Sequence, residues 1–145
     1  MTSTSTSSVW PHLAYRDVTA AVAFLHDAFG FVNTAMHTAD GDDAVVKHAE
    51  MRLPEGGGIM IATVGRDDSA FGRRVPGNDS VYVACDDPDA VFERAVAAGA
   101  VVVQEPIDEK HGWRGFTVRD PEGTLWSFGT HQGARDDDFG VEHPA

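Results

Sequence analysis

The 145-residue chain is long enough for one domain that buries about two-thirds of its unfolded surface, and too short for a second. Its formal charge of −12, from 23 acidic against 11 basic residues, excludes nucleic acid as a partner, because phosphates demand a basic face. No apolar run approaches the roughly 18 residues that span a bilayer, and a single cysteine, Cys85, rules out an intrachain disulfide and suits a reducing, cytoplasmic location.

After the initiator, residues 1–8 are all Ser and Thr. They lack the basic and apolar regions of a signal peptide and are expected to be a disordered tail. The run 9–15 reads as a strand. Asp17 then caps a helix that reaches Phe29 and stops at Gly30, with Val18, Ala21, Val22, Leu25, Ala28 and Phe29 as its apolar stripe. Strands are expected over 31–38, 44–53 and 59–64, the last two joined through Pro54-Glu55-Gly56-Gly57-Gly58. That triple glycine is a turn, since a phosphate loop needs a Lys-Ser/Thr pair and a following helix.

Residues 65–79, polar and punctuated by Pro76-Gly77-Asn78, read as a linker or flap. The pattern then restarts. The run 81–85 is a strand, Asp87 caps a helix with Pro88 at its first position, and Gly99 ends it. Strands are expected over 101–104, 113–119 and 125–130. Between the last two, Asp120-Pro121-Glu122-Gly123 has Asp, Pro and Gly where a type I turn prefers them, which makes a hairpin. Residues 132–145, with Asp136-Asp137-Asp138 and Glu142, read as a solvated acidic tail.

The second half repeats the first. Asp17 matches Asp87, Ala20 matches Ala90, Gly30 matches Gly99 after one deleted residue, and Pro54-Glu55-Gly56 matches Pro121-Glu122-Gly123. Two tandem βαβββ modules, residues 9–64 and 80–131, joined by the linker 65–79, make one α+β domain over 9–131. Its sheet packs one face on the helices and leaves the other face free.

Phe29-Gly30-Phe31 after the first helix, Ala97-Ala98-Gly99-Ala100 after the second, and Arg119-Asp120-Pro121-Glu122-Gly123 before the last strand resemble the vicinal oxygen chelate superfamily, the glyoxalase and bleomycin-resistance group. The resemblance covers about residues 9–131. It implies that the strands curve into a cup-shaped mixed sheet with the helices on its outer face, that a ligand is held in the cup of each module, and that two chains form a homodimer in which they complete or cover their cups. It also implies, in catalytic members, a divalent metal held by His, Glu or Gln from the first and last strands of each module. Here those positions carry Trp10, Met60, Ser80 and Ser127, which cannot build a hard-cation or zinc site. A one-residue shift would replace Ser80 by Asp79 and restore only one ligand. No metal and no other cofactor is expected.

Strand alternation assigns the two faces. Leu13, Tyr15, Ala49, Met51, Phe116, Val118, Trp126 and Phe128 fall to the core. The candidate ligand-binding set on the other face is Trp10, His12, His48, Glu50, Met60, Tyr82, Trp113, Thr117 and Ser127. No catalytic residue is singled out. His48 and Glu50 read as solvated residues, as a general base with its orienting carboxylate, or with His12 as an unorthodox metal site. Trp10, Tyr82 and Trp113 would stack on a planar or cationic ligand, or be buried by a dimer mate. Arg114 falls to the helix side, and no chemistry is expected of His26, His111, His131 or His143. The reading is a metal-independent small-molecule binding protein that sequesters an organic ligand in an aromatic cup. The alternatives are a metal-dependent lyase, isomerase or dioxygenase, or a metal-free enzyme using His48 and Glu50. The acidic balance favours a cationic or amphipathic ligand, tempered by Arg52.

Overall fold

Both helices begin the same way: Asp17 accepts a hydrogen bond from the Ala20 N–H at 3.0 Å, and Asp87 from the Ala90 N–H at 3.2 Å, each satisfying a donor that the first turn leaves free. The structure, a computed structural model, describes residues 8–133. The acidic run 136–142 and the Ser/Thr tail before residue 8 lie outside the described residues. In chain order the elements are β1 (His12–Tyr15), α1 (Val18–Phe29), β2 (Val32–Ala39), β3 (Asp42–Arg52), β4 (Gly58–Thr63), a 3₁₀ turn (Ala70–Arg73), β5 (Ser80–Ala84), α2 (Pro88–Ala97), β6 (Val101–Asp108), β7 (Arg114–Arg119) and β8 (Leu125–Gly129). They form two four-stranded sheets of one plan, ordered β1-β4-β3-β2 and β5-β8-β7-β6. In each, the module's first and last strands run parallel and the other neighbours antiparallel. The tandem βαβββ reading holds. No helix among the described residues is long and apolar enough to cross a membrane.

Gly30 ends α1 in the left-handed region (φ 84°), which costs a glycine nothing. Element bounds differ from the sequence expectation where the chain runs along an edge. Strand β6 extends to Asp108, past Pro106, because an edge strand tolerates a residue with no N–H to donate. Strand β7 starts at Arg114, and the carbonyl of Trp113 instead accepts from the Glu109 N–H at 2.6 Å to close the β6–β7 turn. In β3 the register passes from His37 opposite His48 to Thr38 opposite Val46. Lys47 is the extra residue of this bulge, and Val46 returns to the core, where its N–H donates to Thr63 Oγ1 at 2.9 Å.

The faces fall as alternation assigns them. Leu13, Tyr15, Ala49, Met51, Phe116, Val118, Trp126 and Phe128 are all buried in one core shared by the modules. At its centre, Phe29 of α1 meets Trp126 and Phe128 of β8 with ring centroids at 5.1 and 4.7 Å. The β7–β8 turn is the expected one, closed by Gly123 N–H to Asp120 C=O at 2.9 Å. The buried Asp120 carboxylate accepts from the Glu122 and Thr124 N–H groups at 3.0 Å, from Trp126 Nε1 at 3.1 Å and from Tyr15 Oη at 2.6 Å. Glu122 reaches back to the backbone N–H groups of Arg16 and Asp17 at 2.6 and 2.9 Å.

Replacing Trp126 with Ala is expected to cost about 3–5 kcal/mol, as for other fully buried large rings. Tyr15→Phe, which removes one donor from a buried carboxylate, is expected to cost about 1.5–3 kcal/mol. Urea unfolding of both variants checks this, and losses within error for Trp126→Ala would displace it from the core.

Candidate functional site

On the side of the first sheet away from the core, strand register aligns His12 with Met60 and Met60 with Glu50 across β1, β4 and β3. His48 Nε2 lies 2.8 Å from Glu50 Oε2, each side chain about one-third exposed, and the His37 ring stacks on His48 at 6.2 Å. Trp10 belongs to the same patch. The Arg52 guanidinium covers its ring at 4.6 Å. A Cβ at Gly58 would stand 2.6 Å from the indole and 2.5 Å from the Met51 carbonyl, so only glycine lets the indole approach β4 this closely.

The linker is an ordered flap over this patch. Gly65 N–H bonds to Gly72 C=O at 2.7 Å, Arg66 Nε to Thr63 C=O at 2.8 Å, and Arg74 to both Asp79 (2.9 Å) and the His12 carbonyl. From its 3₁₀ turn, Phe71 packs its ring, tilted, against that of His12 with centroids 4.6 Å apart. His12 Nδ1 is buried with no hydrogen-bond partner among the described residues. Burial lowers the pKa of His12, and the positive fields of Arg74, His48 and Arg66 lower it further. The imidazole is therefore held neutral.

The second sheet carries the other half of the expected set. Tyr82 is the register partner of Ser127, whose Oγ lies 2.7 Å from Thr117 Oγ1. Tyr82 is 49% exposed and donates to the His131 carbonyl at 2.6 Å. Trp113, 38% exposed, stacks on the His131 ring at 3.9 Å. His131, of which no chemistry is expected, is thus the stacking partner of Trp113. The hairpin register held the signal: Gly115 pairs with Gly129, so two residues further out Trp113 falls opposite His131. Arg114 lies on the helix side as expected, paired with Asp89 at 2.8 Å and Asp108 at 3.2 Å. No hydrogen bond or ring contact among the described residues links His12, His48 or Glu50 to Tyr82, Trp113, Thr117 or Ser127. The structure thus brings the predicted residues together as two groups on two sheets.

The donor set does not fit a divalent metal. A thioether, an indole and two hydroxyls stand at the four positions, one hydroxyl is engaged with Thr117, and no three His, Cys, Asp or Glu side chains among the described residues converge as a metal site would require.

The family description "Glyoxalase/Bleomycin resistance protein/Dioxygenase superfamily" matches residues 8–128. The chain belongs to this superfamily. The crystal structure of TioX from Micromonospora sp. ML1 is 34% identical, with a TM-score of 0.72 over 86% of this chain and 98% of that one. A glyoxalase/bleomycin resistance protein from Catenulispora acidiphila shares the fold at 23% identity, with a TM-score of 0.59 over 83% and 95% of the two chains. Among curated relatives, a putative glyoxylase of Mycobacterium tuberculosis is 31% identical over 82% of this chain and 42% of its own length. The anthracycline biosynthesis protein DnrV of Streptomyces peucetius is 29% identical over 86% of this chain and 48% of its own. The chain thus spans less than half of either.

The lowered pKa of His12 has a consequence for stability. Its unfolded value is about 6.5 and its folded value lies below that, so the unfolded chain takes up a proton first as pH falls. Stability from this group is complete above about pH 6.5 and declines below it, toward the folded pKa. Thermal midpoints measured between about pH 8 and pH 5 are expected to fall less steeply in His12→Phe, which keeps the ring packing against Phe71. An identical slope in both proteins would remove His12 as the cause.

Proposed function

We propose that this protein binds a small organic molecule without a metal ion, on the sheet faces that carry Trp10, His12, His48, Glu50 and Met60 in one module and Tyr82, Trp113, Thr117 and Ser127 in the other. The observation that carries this reading is the donor set: Trp10, Met60, Ser80 and Ser127 occupy the places where metal-using relatives would need carboxylate or imidazole. The orphaned Nδ1 of His12 supports it, since a ligand that displaces Phe71 would find in the neutral imidazole one hydrogen-bond site in apolar surroundings. Similarity to a protein named for anthracycline biosynthesis supports an organic compound as the ligand class. Sequestration is the simplest outcome, and the lone free thiol, Cys85, fits a reducing cytoplasm. The competing reading is a lyase, isomerase or dioxygenase. It draws on the relative named a putative glyoxylase and on the His48–Glu50 contact, which has the geometry of a base and its orienting carboxylate.

Elemental analysis of the purified protein should find no stoichiometric transition metal. A thermal-shift panel of organic compounds should yield a binder that stabilises by about 2.7 kcal/mol at a hundred times its Kd, with Trp113→Ala weakening it by about 1–3 kcal/mol. Near one equivalent of zinc, nickel or iron, lost on joint replacement of His12 and His48, would reverse the assignment in favour of the metalloenzyme.

The functional unit in this proposal is a homodimer. Edge strand β6 bonds to β7 on one side only and exposes Val101, Val102 and Val103. A second copy would cover such edges. Light scattering at micromolar concentration is expected to give twice the 15.5 kDa chain mass, and a single-chain mass throughout would exclude the pairing.

A further inference from the structure

A cleft of about 700 Å³ lies between the modules, lined mainly by core-side residues and meeting the candidate set on the sheet faces only at Tyr82. That volume suits an organic ligand. Phe29 and Phe31 at the end of α1, Ile59 of β4, Val83 of β5, Val91 of α2 and Phe128 of β8 give it apolar walls. Its charged side chains are all acidic. Glu55 reaches it from the β3–β4 loop of module one, and Asp86 and Asp87 from the start of α2 in module two, while no Lys, Arg or His lines it. Asp87 is engaged in capping α2. Glu55 and Asp86 have no ion-pair partner among the described residues. The Cys85 thiol in the wall registers the resulting field: burial raises its pKa first, and the charges of Asp86, Asp87 and Glu55 raise it further. Carboxylates from both modules therefore act on one point of the cleft. The thiol itself stays protonated and is no nucleophile.

An apolar wall beneath unpaired carboxylates repels an anion and leaves its field unused by a neutral compound. We infer that this cleft is a binding site for an amphipathic organic cation, which packs its apolar body against Phe29, Phe31 and Phe128 and turns its charge toward Glu55 and Asp86. The inference is independent of the ligand proposed for the sheet faces, with which the cleft shares only Tyr82.

Tetraphenylphosphonium and tetraphenylborate have nearly the same size and shape and opposite charge, so calorimetric titration of the full chain with each isolates the role of sign. The phosphonium should bind at least about tenfold more tightly, and should weaken as salt is raised from about 20 mM to about 0.5 M. Joint Glu55→Gln and Asp86→Asn replacement should weaken it by about fivefold with the thermal midpoint unchanged. Ala90→Trp, at an exposed helical position on the cleft wall, should block it without touching the core. Trp113→Ala and His12→Phe should leave it intact. Equal affinity for the two ions, or binding indifferent to both sets of cleft variants, would overturn the inference. So would loss of binding in Trp113→Ala or His12→Phe, which would move the cation to the sheet faces. If no cation binds and Ala90→Trp converts a dimer to monomers, the cleft belongs to a second copy of the chain and the inference fails.

Discussion

One buried carboxylate, that of Asp120, is the constraint on which the arrangement of the modules rests. An ionised carboxylate withdrawn from water is costly unless its lone pairs are met. Here four donors meet them, two from the turn backbone and two from the rings of Tyr15 and Trp126. Burial, then the negative charge and hydrogen bond of Asp120, push the Tyr15 phenol far above its ordinary pKa, so it remains a donor. Tyr15 lies on the first strand and Trp126 on the last. A single side chain thereby ties the final hairpin to the opening of the chain, and Trp126, held by its indole N–H, becomes the surface on which Phe29 and Phe31 pack.

Much of this was legible in the sequence because local rules and the repeat agreed. Asp17 and Asp87 are spaced alike from their helices, and both cap through the N–H three residues on. Period-two alternation separated Trp126 and Phe128 from Ser127 correctly because the hairpin register was fixed by its turn. Alternation cannot see a bulge, however, and at Lys47 it would have turned Val46 outward. The long course of β6 escaped notice for a related reason: Pro106 reads as a stop and is tolerated at an edge.

The site was less legible than the fold. Which residues leave the core face follows from alternation, but what they touch does not. Phe71 comes from a polar stretch with no strand or helix period, and its packing against His12 depends on how the linker turns back at Gly72. Counting the hairpin register outward sets Trp113 opposite His131, but only the structure shows that the two rings stack. The cleft between the modules has no sequence signature, since most of its apolar walls are residues already assigned to the core and its rim joins the β3–β4 loop of one module to the start of α2 in the other.

The reach of Glu122 to the backbone of Arg16 and Asp17, across 106 and 105 residues of chain, bears on how the protein acquires its structure. The start of α1 leaves the ribosome long before the turn that holds it has been made. Until nearly the whole domain has emerged, Phe29 and Phe31 of module one have no Trp126 to pack against. Contacts of such sequence separation close slowly, because the loop entropy is lost before the packing is gained. The interval in which apolar surface stands open is therefore set by translation, and it is the period in which a second nascent copy or a chaperone finds this chain most adhesive.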